Sequence, residues 1–133
     1  MREFVRLETR SLLRRLKSQV TQAARTGDAE AIHDLRVAIR RLNRCLRAFA
    51  RFYPGHSWKP VRRRLSGLMT ACGSVRDRDI AIGLLEQAGV AATSPLVRRL
   101  GAERDAAARE LQGELRDFKR KGLARRWRQR LEL

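Results

Sequence analysis

An all-α chain is predicted, an antiparallel four-helix bundle, and three observations predict it. No segment alternates apolar and polar residues with period two, and the long stretches repeat apolar residues at three and four. Turn formers cut the 133 residues into four such stretches. Short connections favour helices that run up and down beside their sequence neighbours. A chain of this length is expected to form a single domain over residues 1–133, around one modest core.

The first helix is expected from about Arg2 to Ala24, with Phe4, Val5, Leu12, Leu16 and Val20 turned inward. Thr26-Gly27 stops it. Asp28 then suits the N-cap of the next helix, because its carboxylate can accept free amide protons of the following turn. The second helix runs from about Ala29 to Tyr53 and ends at Pro54-Gly55. The third begins near Lys59-Pro60, since proline is tolerated in a first turn, and closes at Gly89. Gly67, Gly73 and Gly83 lie inside it. Each costs about 1 kcal/mol against alanine in an exposed helix, which points to close packing or a bend. Ser94-Pro95 opens the fourth, with Leu96, Leu100, Ala107, Leu111, Leu115 and Phe118 as its apolar stripe. Gly122 breaks it before a short basic tail that contains Trp127 and Arg130.

The formal net charge is +17. Like charge at that density opposes compaction unless a counter-charge is bound, so a polyanionic partner is the first expectation. Only Lys17, Lys59, Lys119 and Lys121 are lysines among 31 basic residues, leaving 27 arginines. Arginine's planar fork matches phosphate oxygens and stays charged in any setting. GC-rich codons would inflate arginine everywhere, so the placement of the arginines carries the argument. Cys45 and Cys72 stand alone, outside any CxxC pair, and read as core thiols. The first residues carry no apolar leader and no apolar run reaches membrane-spanning length, so a soluble cytoplasmic protein is expected.

The second helix carries two stripes at about 100° per residue. Ile32, Leu35, Ile39, Leu42, Leu46 and Phe49 face the core. His33, Arg36, Arg40, Arg44 and Arg47 keep the same rhythm on another side, with Arg41 and Arg51 further round. Solvated helix faces usually mix acids with bases, because like charges at i, i+4 repel. Here no carboxylate interrupts the line, and Asp34 lies off it. Regularly spaced guanidinium groups on a rigid rod suit a chain of phosphates. The competing reading is a solvated face whose acidic partners come from other helices. His33 could donate to phosphate or serve as a satisfied structural residue. Arg62-Arg63-Arg64 brings more charge at the start of the third helix, and Arg63 is assigned to the binding set. In the run Arg76-Asp77-Arg78-Asp79 the alternating signs suggest internal ion pairs, with an aspartate holding a neighbouring arginine. No third acid stands close enough to make a Mg²⁺ site convincing, so neither a metal nor a cofactor is expected.

At His33-Asp34-Leu35-Arg36-Val37-Ala38-Ile39-Arg40-Arg41-Leu42 the chain resembles a CHAD domain (conserved histidine α-helical domain), whose first signature is similar to H-x-x-R-V-x-x-R-R-L-R. A second match runs from Leu68 to Gly73 and on through Val75-Arg76-Asp77-Arg78-Asp79-Ile80, similar to L-G-x-x-R-D-x-D-V. The resemblance implies an all-helical fold with a basic surface that binds inorganic polyphosphate, often at polyphosphate granules. Carried over by position, its signature residues are His33, Arg36, Arg40, Arg41 and Arg76; Arg44 and Arg47 join them from the stripe. Asn43 departs from the pattern, standing where the last arginine of the first signature belongs. Family members usually hold two four-helix bundles related by a pseudo-twofold, and the length here suits one, so a homodimer is expected to rebuild the pair.

Nonspecific nucleic-acid binding is the main rival, since phosphate-backbone contacts reward the same charge. The seven aromatics form no interleaved stacking platform, and no zinc-finger or RNP-type motif occurs. An enzyme is not expected, as there is no P-loop and no Cys/His or Ser/His pair. Binding to anionic membranes ranks last, because the bundle core needs the apolar helix faces.

Overall fold

The computed structural model describes residues 2–133, and among them every regular element is helical. Five α-helices follow one another: α1 (Glu3–Thr26), α2 (Ala29–Ala48), α3 (Trp58–Gln87), α4 (Pro95–Arg120) and α5 (Leu123–Arg130). The four long ones touch in a ring, α1 on α2, α2 on α3, α3 on α4 and α4 on α1, while α5 lies against α1 and α4. One apolar core fills the ring, with Leu16, Leu35, Ile39, Leu42, Leu46, Leu65, Leu68, Leu111 and Leu115 fully enclosed.

The α1–α2 corner follows from its two linking residues. Gly27 takes the left-handed conformation at φ 64° and returns its N–H to the Ala23 carbonyl, closing α1. Asp28 caps α2 by accepting from the Ala31 N–H at 2.8 Å. Gln112 of α4 donates to that same Ala23 carbonyl at 3.0 Å and ties the corner to that neighbouring helix.

Four expectations change. The second helix stops at Ala48, five residues before Tyr53, and a 3₁₀ turn over Ala50–Phe52 follows. The tighter turn swings Tyr53 back into the core, where its hydroxyl lies 2.7 Å from Thr9 Oγ1 on α1. Within α1, Thr9 and Leu13 are buried, whereas Phe4 is exposed and Leu12 only half-buried. The basic tail is the helix α5, which buries Trp127 edge-on to Phe118 with centroids 5.4 Å apart, and Leu131 one turn later. Finally, a Cβ on Gly67, Gly73 or Gly83 would meet nothing within 4 Å, so close helix approach does not account for these glycines.

Candidate anion-binding face

The regular register of α2 separates its two sides. Ala31, Ile32, Leu35, Ala38, Ile39, Leu42, Cys45 and Leu46 are buried. His33, Arg40, Arg41, Arg44 and Arg47 are exposed and Arg36 is half-buried. Among the described residues no ion pair joins any of these six cationic or imidazole side chains to a carboxylate. Acidic partners from other helices are therefore not supplied. Glu8 of α1 shares a shallow groove with Arg41, Arg44, Cys45 and Phe49 without forming an ion pair. The stripe is consequently broader than one line: Arg41 and Arg44 lean to the α1 flank, while Arg36 leans to α3.

The α3 flank is the more organised one. Arg36 stands close enough to the buried Cys72 thiol for its charge to act on it. Its Nε is shielded from solvent and has no hydrogen-bond partner among the described residues. Asn43, one turn past Arg40, accepts from Arg62 Nε at 2.8 Å. The Arg62 guanidinium also lies over the Trp58 ring, 6.0 Å from its centroid. One of Arg62's five N–H donors is thus committed to Asn43, and the fork is held at the α2–α3 seam with the others uncommitted.

Arg62, not Arg63, is the member of the arginine triplet that reaches α2. Successive helix residues point about 100° apart, which carries Arg63 round to the α4 side. There it lines a groove of about 440 Å³ with Arg64, Glu114, Asp117 and Lys121. Sequence reading had a signal for the seam as a whole: from Leu35 to Arg76 no Asp or Glu occurs. It had none for the choice of Arg62, because that depends on the facing Asn43.

The charged run on α3 also differs from expectation. Asp79 pairs with Arg104 of α4 at 2.9 Å, and Arg78 approaches Glu103 of α4 at 3.7 Å. The ion pairs cross between helices because i, i+1 and i, i+2 side chains on one helix do not face each other. Arg76 is left exposed and unpaired among the described residues, beside a hollow of about 180 Å³ lined by Ala29, Ile32, Asp79 and Ile80. It thus adjoins the start of α2. No group of three His, Cys, Asp or Glu side chains is placed to hold a metal ion among the described residues. Among the described residues no helix is long and apolar enough to cross a membrane. Cys45 and Cys72 are both buried free thiols.

A helical bundle with an arginine face left uncompensated among the described residues is the class these observations define. Residues 9–133 match the family model of the CHAD domain. The chain belongs to the CHAD-domain family. Neither a curated protein nor a solved structure matches it.

Proposed function

We propose that this protein binds inorganic polyphosphate along α2 and the α2–α3 seam, acting as a binding module rather than an enzyme. The carrying observation is the set His33, Arg36, Arg40, Arg44, Arg47 and Arg62, which has no carboxylate partner among the described residues while Asn43 accepts a hydrogen bond from Arg62. A guanidinium without a protein counter-charge is open to a ligand's phosphate oxygens, and spacing along a rod favours a chain of them. Family membership supports the same ligand at the level of the family. Arg41 and Arg76 extend the contact surface to either side.

The protein acts in this reading as a homodimer, each copy giving one half of a two-bundle arrangement built from antiparallel four-helix units. Ile80 and Leu84, one turn apart on α3, are 47% and 60% exposed and lie just past Arg76, where a second copy would cover them. A cytoplasmic location, with recruitment to polyphosphate granules, goes with this reading. RNA or DNA backbone binding is a second reading, favoured by the net charge of +17.

The test is binding of long-chain polyphosphate at near-physiological salt with RNA as competitor, for wild type and Arg36→Ala/Arg40→Ala. The proposal expects tight binding that RNA does not displace, lost in the double variant while its circular dichroism stays helical. Displacement by RNA at matched phosphate concentration would favour the nucleic-acid reading. Sedimentation with and without polyphosphate reads the dimer separately.

A further inference from the structure

A second cluster of cations lies on the other flank of α1. Arg10, Arg14 and Lys17 of α1 and Arg125 and Arg128 of α5 line a groove of about 380 Å³, floored by Leu13 and Ala124. It shares no lining residue with the α2–α3 seam. No ion pair joins any of the five to a carboxylate among the described residues. Sequence explains why: Thr9 to Gly27 and Phe118 to Leu131 contain no Asp or Glu, and the fold lays these two stretches together.

The apolar side of α5 imposes this contact. Trp127 and Leu131 are buried, so docking them carries Arg125 and Arg128 up against α1. The Arg10 Nε is shielded from solvent and has no hydrogen-bond partner among the described residues. Arg128 foremost, then burial, Arg14 and Arg6, lower the affinity of the Arg10 guanidinium for its proton. A surface built only for solubility would scatter these charges or pair them with acids. Here apolar docking holds them together uncompensated, an arrangement that a bound oxyanion stabilises and its absence does not.

We propose that the α1–α5 groove is a second phosphate-oxyanion site, in which Arg10, Arg14, Lys17, Arg125 and Arg128 converge on phosphoryl groups independently of the α2 face. The five cationic side chains and the groove's size fit a short run of phosphoryl groups. Those groups could belong to a small free phosphate or to a stretch of a longer chain.

The test titrates orthophosphate, tripolyphosphate and long-chain polyphosphate into Arg36→Ala/Arg40→Ala, and into the same protein carrying Arg10→Gln/Arg128→Gln as well. Working in the first background keeps the groove's outcome separate from that of the α2 face. Expected is a residual tripolyphosphate site in the first protein, weakened at least about tenfold by the added glutamines, as loss of charge-assisted hydrogen bonds requires. Saturation by orthophosphate would assign the groove to a free phosphate, and response to the longer ligands alone would assign it to a chain segment; either carries the proposal. An unchanged affinity overturns it. A second measurement guards against misfolding: in phosphate-free, low-salt buffer, Arg10→Gln/Arg128→Gln alone should melt higher than wild type, because like-charge repulsion is relieved. A lower melting temperature would make Arg10 a structural residue and sink the inference.

Discussion

Arg62 on α3 and Asn43 on α2 meet through one hydrogen bond, Nε–H to Oδ1, at 2.8 Å. Position 43 is where the family's signature resemblance calls for another arginine. An arginine there would put two like charges at the α2–α3 seam. Asparagine instead supplies a neutral acceptor for the guanidinium of the facing helix. The departure from the signature therefore gives the facing Arg62 a neutral hydrogen-bond partner in this exchange of arginine for asparagine.

This exchange predicts a coupled pair. Asn43→Ala should weaken polyphosphate binding several-fold by freeing Arg62, although it removes no charge. Arg62→Ala should weaken it more. The double variant should bind like Arg62→Ala, since the asparagine acts through the arginine. Titrations of the four proteins read the cycle, and full additivity would mean that Asn43 does not position Arg62.

Salt dependence provides a second check on the face. Each phosphate neutralised releases counterions, so log affinity for long polyphosphate should fall steeply and linearly with log salt. Replacing one arginine of the proposed face, Arg40→Ala, should reduce the magnitude of that slope by about 1. Arg98→Ala, on the exposed start of α4, should leave the slope unchanged.

The sequence stripe on α2 anticipated both its buried and its charged side, because a capped, uninterrupted helix obeys its own periodicity. Ile32, Leu35, Ile39, Leu42 and Leu46 are all buried as the spacing requires. Phe49 falls beyond the end of α2 and is only partly buried, because the backbone tightens after Ala48. α5 was hidden by its arginines, although Leu123, Trp127 and Leu131 recur every four residues, and Trp127 and Leu131 are buried. The Arg104–Asp79 pair and the Asn43–Arg62 contact were not legible, since each depends on which faces two helices present to one another.

Gly27 gives a prediction about stability alone. Its φ of +64° strains any residue with a Cβ, and a Cβ there would stand 3.2 Å from Gln112 Nε2. That contact threatens the hydrogen bond from Gln112 to the Ala23 carbonyl. Gly27→Ala should therefore cost about 1–2 kcal/mol in urea unfolding. No loss, or a gain, would show that the corner is not held in this conformation.

The buried polar cluster behind α2 has a definite proton order. Thr9 Oγ1 donates its single proton to the Val5 carbonyl at 2.7 Å. Tyr53 must then be the donor in its 2.7 Å contact with Thr9. Tyr53→Phe keeps the ring and removes that donor, so it should cost roughly 1–2 kcal/mol. Thr9→Val/Tyr53→Phe should cost less than the two single changes added together, because neither partner is then left unsatisfied. Thermal melts of the three variants decide it, with simple additivity as the contrary result.

Alkaline stability follows from Cys72. Burial pushes its thiol up from 9.0 to about 11, against the opposing influence of Arg36. The folded state thus disfavours the thiolate, and the thiol's contribution is fully present below the unfolded value near 9.0. As pH rises toward 11 the unfolded chain releases the proton first, so it binds fewer protons than the folded one and stability must fall. The loss should approach about 2–3 kcal/mol by the top of that window. Tyr53, also raised chiefly by burial, adds a further loss above its ordinary value of 10.0. Between pH 9.0 and 10.0, therefore, Cys72→Ala should flatten the decline relative to wild type, whatever its own cavity costs. Urea midpoints taken across that interval check the slope. Parallel declines in the two proteins would mean that the Cys72 thiol does not titrate with unfolding.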